Sequence, residues 1–240
     1  MEEINLQLTP AQFDEMYQAY VPSKKDIDTP SKIIRDVNKE TNVVWSMDMF
    51  PDKRETIVEI GDNTTLREYV TINRGTVDKG KTVVGKNCLI MAYCHIAHDC
   101  VVGDNCIFSN NSTLAGHVTV GNHVILAGMT AVHQFCTIGQ HAFITGGSLV
   151  RKDVPPFVKG AREPMSYVGI NSIGLRRRGF KSGKIREIQN IYRILYQKSY
   201  NNSQAARLIE AEMEATNERD EILQFIKNSK RGIMKGYFSN

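Results

Sequence analysis

Residues 84–103 read VGKNCLIMAYCHIAHDCVVG. Within this stretch Val84, Ile90, Ile96 and Val102 recur every sixth residue, and the Val-Gly pair at 84–85 returns at 102–103. Outward from it, Phe108, Leu114, Val120, Leu126, Val132, Ile138, Ile144 and Val150 keep the same phase, so twelve successive positions are apolar. Ile60, Leu66 and Ile72 form an earlier run in that phase. Neither a helix, with period 3.6, nor a plain strand, with period 2, singles out every sixth residue. A six-residue repeat is the signature of a parallel β-helix. Val120-Gly121 and Ile138-Gly139 extend the eighteen-residue spacing, so three hexapeptides make one coil with three flat faces. The hexapeptide pattern implies a left-handed coil, against the usual right-handed crossover rule. Each coil should stack ~4.8 Å above the last. Proline is absent between 52 and 154, as uninterrupted ladders require.

The period also assigns the cysteines. Cys88, Cys94, Cys100, Cys106 and Cys136 each lie two residues before an apolar repeat position, in phase with Ser112, Thr130, Ala142 and Ser148. Residues two apart on a strand face the same side, so all five thiols read as small core fillers. Cys94-His95-x-x-His98 suggests zinc, but catalytic zinc needs three converging ligands, and Cys94 should face the core.

Outside the repeat, Arg74–Thr82 breaks the phase and reads as a loop projecting from one corner. Prolines 155, 156 and 164 end the coils and open a linker over 155–178. The segment 179–240 reads as a helical domain. Ile185, Ile188, Tyr192, Leu195 and Tyr196 recur at helical spacing, Asn202-Ser203 can cap a second helix carrying Leu208 and Ile209, and Ile222, Phe225 and Ile226 mark a third. Residues 1–55 hold no hexapeptide and read as a helical cap over the exposed end of a β-helix spanning 56–154. The fold class is thus an all-β left-handed parallel β-helix followed by an α-helical domain.

The chain has 240 residues, 41% apolar and 23% charged. No window approaches the ~18 apolar residues of a membrane span. No secretory signal is apparent, and an odd cysteine count argues against a disulfide framework, so a cytoplasmic protein is expected. The net charge of +4 hides an asymmetry: residues 1–150 carry net −5 and residues 151–240 net +9. The basic part should attract an anionic partner. With no aromatic platform or nucleic-acid motif nearby, nucleic acid is not expected.

Two histidine groups follow from the winding. His98, His117 and His133 should climb one edge on adjacent coils, with His95 beside His98; His123 and His141, eighteen apart, should stack in another column. Asp99 follows His98, and Gly116 precedes His117. A carboxylate can hold a histidine in one tautomer as general base, and a glycine N–H can face a developing oxyanion. That pairing suits acyl transfer. The competing reading makes these histidines strand-edge fillers.

The words IGDNTTLREYVTINRGT, HIAHDC, NNSTLAGHV, GMTAVHQF and GLRRRGF resemble the UDP-N-acetylglucosamine O-acyltransferase family, over about residues 56–240. The resemblance implies a cytoplasmic homotrimer with active sites between prisms. It implies transfer of a 3-hydroxyacyl group from acyl carrier protein to the sugar 3-hydroxyl of UDP-N-acetylglucosamine, the first step of lipid A biosynthesis, without cofactor or metal. By matching motif, His98 is the base, Asp99 orients it, and the Gly116 N–H stabilises the oxyanion. His95 and His117 hold the sugar or thioester region, and His133 and Gln134 contact the phosphates. Asn171, Arg177 and Arg178 help bind the nucleotide or acyl donor, and Gly146 lines the far end of the acyl groove. Asp48 matches an aspartate of the family's substrate loop, and Asn73 stands where some relatives carry histidine. Phe50 replaces a family lysine, and Ile173 a glutamate near the nucleotide. The stretch Arg176, Arg177, Arg178, Lys181, Lys184 and Arg186 suits electrostatic steering of an acidic carrier protein. Two rival readings are a trimeric prism binding zinc through three histidines, as γ-class carbonic anhydrases do, and a non-catalytic prism.

Overall fold

The computed structural model describes residues 56–197 and 200–236. Most hexapeptides become a two-residue strand followed by a turn. The strands stack into three sheets. One runs through Ile57–Ile60, Lys81–Val84, Val101–Val102, Thr119–Val120 and Thr137–Ile138; another through Thr71–Ile72, His95–Ile96, Thr113–Leu114, Ala131–Val132 and Leu149–Val150. The third starts at Thr65–Leu66 and continues through Leu89–Ile90, Ile107–Phe108, Ile125–Leu126 and Phe143–Ile144. Pairing is parallel and steps by eighteen, as in Val101↔Thr119 and His95↔Thr113. The winding is that of the left-handed β-helix the period implied.

All twelve repeat positions are buried, none more than 3% exposed. The residues two before them are buried as well, all five cysteines included. Their chemistry is specific. Cys88, Cys94, Cys100 and Cys106 each donate S–H to the carbonyl fifteen residues ahead, those of Gly103, Ser109, Ala115 and Gly121, at 3.1–3.2 Å. Ser112 and Thr130 give O–H bonds to Ala127 and Thr145 in the same way. A small side chain with a donor fills the corner and meets a carbonyl that is otherwise costly to bury. Val118 and Val124 occupy that phase with volume alone.

The turns carry the functional side chains. Every sixth residue adopts φ between 55° and 63°: Asn63, Asn87, Asn105, His123 and His141 at one corner, Tyr69, Tyr93, Asn111 and Met129 at the second, Asp99, His117 and Phe135 at the third. Asn, Asp and His tolerate this left-handed region better than most residues, which explains part of the choice. Bonds such as Asn105 N–H to Lys86 O (2.9 Å) and His117 N–H to His98 O (3.0 Å) tie each turn to the next.

Residues 155–178, expected as a linker, contain ordered structure. Val158–Ala161 continues the third sheet in parallel beside Phe143–Ile144, then pairs antiparallel with Ser166–Ile170. A short helix, α1 (Ser172–Arg177), follows. The hexapeptide phase is lost here, but Val158 and Gly160 still face inward. Helices α2 (Ser182–Gln197), α3 (Asn202–Glu212) and α4 (Asn217–Asn228) bury Ile185, Ile188, Tyr192, Leu195, Tyr196, Ile209 and Ile222. The cap of α3 is Asn201, one residue before the expected pair, closing a capping box with Gln204. Two tyrosines anchor the helices: Tyr192 Oη donates to Pro156 O at 2.6 Å and Tyr196 Oη to Met234 O at 3.0 Å. Asp153, buried on the last coil, accepts from Thr137 N–H (2.8 Å) and Ser229 O–H (2.6 Å), fastening the chain's final segment over the prism end. Among the described residues no helix is long and apolar enough to cross a membrane. The expected N-terminal cap, Asp48 and Phe50 lie outside the described residues.

Candidate active site

The third corner brings His98, Asp99, Gly116 and His117 together. His98 and Gly116 stand in one column eighteen residues apart, and Asp99, His117 and Phe135 stand in the next. His98 Nδ1 lies 2.8 Å from Asp99 Oδ2. The carboxylate is wholly buried while the imidazole is 43% exposed. Burial alone would raise the Asp99 pKa, but hydrogen bonds from Thr76 and His98 outweigh it and hold it below the ordinary carboxylate value. An ionised carboxylate only accepts, so the shared proton sits on Nδ1 and His98 Nε2 is left as the basic atom.

Gly116 packs directly on that ring. A Cβ at this position would lie 2.6 Å from His98 Cε1 and 2.7 Å from Nε2, so only glycine fits. His117 crosses His98 edge-on, with ring centres 5.2 Å apart, and stacks on Phe135 at 4.7 Å. Its Nε2 lies 3.5 Å from Asp99 Oδ2 and its Nδ1 3.5 Å from Asp78 Oδ2. His95 hydrogen-bonds through Nδ1 to Thr71 Oγ1 at 2.7 Å, and burial lowers its pKa. His133 and Gln134 are exposed one coil above His117 and two above His98, with His133 Nδ1 donating to Gln134 O at 3.1 Å.

Other expected residues stand elsewhere. Asn171 caps α1, accepting from Gly174 N–H at 3.2 Å and donating to His141 O at 2.9 Å. Arg178 donates to His123 O at 3.0 Å. Both therefore belong to the first corner, on a different edge of the prism from His98. Arg177 is exposed at the end of α1. Gly146 lies on the second corner, above Gly128. Asn73 joins the site's sheet through its backbone N–H, bonded to Ile96 O at 2.9 Å. The basic stretch is not uniformly available: Lys184 pairs with Glu187 (3.0 Å) and Glu218 (2.9 Å), whereas Arg176, Arg177, Lys181 and Arg186 are exposed.

Sequence reasoning missed the loop that completes this corner. Arg74–Thr82 was expected to project, but Lys81 and Thr82 lie in a strand, which leaves residues 73–80 as the loop. The loop folds back, and Thr76 donates both its N–H (2.8 Å) and its O–H (2.6 Å) to the Asp99 carboxylate. The only available signal was the broken phase between Ile72 and Val84.

His98, Asp99 and His117 offer ligand atoms within 4.8 Å of one another, close enough for one metal ion. Asp99 Oδ2 already accepts from Thr76 and His98, which suits proton handling better. Cys94 takes no part, because its thiol is buried and directed at Ser109 O. A zinc set built on Cys94, His95 and His98 does not assemble.

A left-handed prism of hexapeptides, with a glycine packed on a histidine–aspartate pair at one corner, places the chain among the hexapeptide-repeat proteins. A family model for bacterial transferase hexapeptides matches residues 81–116, and one described as UDP-N-acetylglucosamine O-acyltransferase, domain 2, matches residues 153–234. The acyl-[acyl-carrier-protein]–UDP-N-acetylglucosamine O-acyltransferase of Aquifex aeolicus (strain VF5) is 59% identical over 182 residues, covering 75% of this chain and 70% of that protein. The protein of the same name from Sulfurihydrogenibium sp. (strain YO3AOP1) is 58% identical over 177 residues, covering 73% of this chain and 65% of the relative. The crystal structure of a UDP-N-acetylglucosamine acyltransferase from Bacteroides fragilis 9343 superposes with TM-score 0.75 at 46% identity, covering 77% of this chain and 72% of that one. The chain belongs to the UDP-N-acetylglucosamine O-acyltransferase family.

Proposed function

We propose that this chain transfers a 3-hydroxyacyl group from acyl carrier protein to the 3-hydroxyl of UDP-N-acetylglucosamine, the reaction that opens lipid A biosynthesis. The observation that carries the reading is the His98–Asp99 bond of 2.8 Å with Gly116 packed on the basic side of the ring. His98 Nε2 takes the proton of the sugar hydroxyl as its oxygen attacks the thioester carbonyl. Asp99 steadies the imidazolium that forms. The Gly116 N–H donates to the oxyanion of the tetrahedral intermediate. Collapse breaks the C–S bond, and the imidazolium returns its proton to the carrier thiolate. His95 and His117 flank the sugar and thioester, and His133 and Gln134 meet the phosphates.

The working unit is a homotrimer. His98 stands on the third corner, while Asn171 and Arg178 stand on the first, and a single prism keeps its corners apart. A neighbouring prism can supply its Asn171, Arg177 and Arg178 side, and its Gly146 groove, to this chain's His98. An outward column of Leu89, Ile107, Ile125 and Phe143 on the third sheet gives such a neighbour apolar surface to cover. Arg176, Arg177, Lys181 and Arg186 form the basic docking surface for the acidic carrier protein. The reaction takes place in the cytoplasm, with no cofactor.

The test is purified protein incubated with UDP-N-acetylglucosamine and a panel of 3-hydroxyacyl carrier proteins, with products read by mass. An O-acylated nucleotide sugar is the expected result. Absence of acyl transfer across the panel would overturn the reading.

A further inference from the structure

The loop at residues 73–80 lengthens one coil. Below it Ile57 pairs with Lys81, a step of twenty-four, whereas above it Val83 pairs with Val101, a step of eighteen. Six extra residues make a projecting loop the simplest expectation, yet this one is pinned at several points. Gly75 N–H reaches Ile57 O at 3.2 Å and Gly80 N–H reaches Thr76 O at 2.7 Å. A Cβ on Gly75 would fall 2.1 Å from Lys81 N, so the chain closes on itself too tightly for any other residue.

What the closure presents is Thr76. Its hydroxyl accepts from Asp78 N–H at 3.2 Å and donates to Asp99 Oδ2 at 2.6 Å, so its one proton is committed to the carboxylate. Its N–H fills Asp99 Oδ1 at 2.8 Å. From the opposite side, Thr82 Oγ1 accepts Asp99 N–H at 2.9 Å and holds the left-handed backbone. Asp99 has little freedom left: the position of Oδ2, and hence the direction in which His98 Nδ1 must point, is set by Thr76.

We infer that Thr76 is a positioning residue for the proposed reaction, acting through Asp99 to fix the tautomer and orientation of His98. The role rests on the acyl-transfer reading given above, but the hydrogen-bond chain Thr76–Asp99–His98 can be examined without it. The titratable groups facing Asp99 are His98 and His117, with the buried Cys100 thiol next in the chain and Asp78 beyond His117. Removing the Thr76 hydroxyl takes one donor from a carboxylate with no exposed surface. The carboxyl then protonates more easily, and its grip on His98 loosens.

The experiment compares wild type, Thr76→Val and Thr76→Ser in the full chain. A hydrogen bond to a charged group is worth enough that kcat of Thr76→Val should fall roughly 10- to 100-fold. KM for both substrates should stay within about twofold, because the Thr76 N–H and O–H are both committed to Asp99. The acid limb of the kcat–pH profile should shift, and Thr76→Ser should restore both. Independently of turnover, proton spectra of the wild type should show a downfield His98 Hδ1 resonance, assigned by its loss in His98→Ala. That resonance should shift or broaden in Thr76→Val and persist in Thr76→Ser. If Thr76→Val unfolds, Thr76→Ala with the serine variant carries the same comparison. An unchanged Hδ1 resonance and pH profile in the hydroxyl-free variant would overturn the role of Thr76 and leave the acyl-transfer reading standing. A wild type without acyl transfer would overturn that reading, and the resonance would still decide the hydrogen-bond chain.

Discussion

Two corners of the same prism carry stacked histidines over a phenylalanine, and they differ in whether a carboxylate faces the rings. At the third corner His117 sits above Asp99 and crosses His98; at the first, His141 stacks on His123 at 4.7 Å and on Phe157 at 5.6 Å. The turns have the same left-handed φ. One imidazole meets a buried, hydrogen-bonded carboxylate and solvent. The other meets phenylalanine rings, with Phe180 edge-on at 5.2 Å. Burial, reinforced by the nearby His123 and Arg178, pulls the His141 pKa down to about 4, and its Nδ1 has no partner. The fold supplies columns; the residue facing each ring decides whether a column carries chemistry or packing.

The sharpest way to break this contrast is to alter the carboxylate. Asp99→Asn can present an N–H to His98 Nδ1 and stabilise the wrong tautomer, so kcat should drop by roughly 10³- to 10⁴-fold with little change in folding, measured by steady-state turnover and thermal unfolding. Gly116→Ala comes next. Its Cβ would meet the His98 ring at 2.6 Å, and a displaced base and oxyanion donor should cost roughly 10²- to 10³-fold in kcat.

The first corner should answer in stability. His141 is neutral in the fold, and its pKa of about 4 lies below the ordinary 6.5. The unfolded chain therefore binds the extra proton. The neutral ring costs the fold nothing above pH 6.5, and as pH falls toward 4 stability is lost, by about 3 kcal/mol at pH 4. His141→Phe keeps the stack and removes the proton site. Denaturant melts at a series of pH values should show the difference between variant and wild type growing over that window in the variant's favour.

The smallest effect belongs to the core. Cys100→Ser keeps a donor for Ala115 O, as Ser112 does for Ala127 O, and should change stability by no more than about 1 kcal/mol in the same melts. Burial raises the Cys100 thiol to about 11, so alkylation of this residue should await unfolding.

How far the sequence carried these contrasts depends on the range of the interaction. The six-residue period reports which side chains face inward, so the strands, the core and the cysteine phase were legible. The two histidine columns followed from the eighteen-residue step. What separates them did not: the rings over His141 come from Phe157 and from Phe180 just after α1, beyond the repeat. Thr76 was hidden for a related reason. Its partner lies twenty-three residues away, and a loop that has left the repeat shares no register with it. Val158–Ala161 was read as linker because its strand pairing continues after the apolar phase has stopped. Asn171 and Arg178 fall at the first corner, on the His141 and His123 carbonyls, because the chain after the coils returns to the prism by a path that no period describes.

The most direct trial of the contrast is a single-turnover acyl-transfer assay run in parallel on His98→Ala and His141→Phe, with ester product read by mass. The account expects the first to lose roughly 10²- to 10⁴-fold in rate and the second to stay near wild type at neutral pH. Equal rates for His98→Ala and wild type would contradict it.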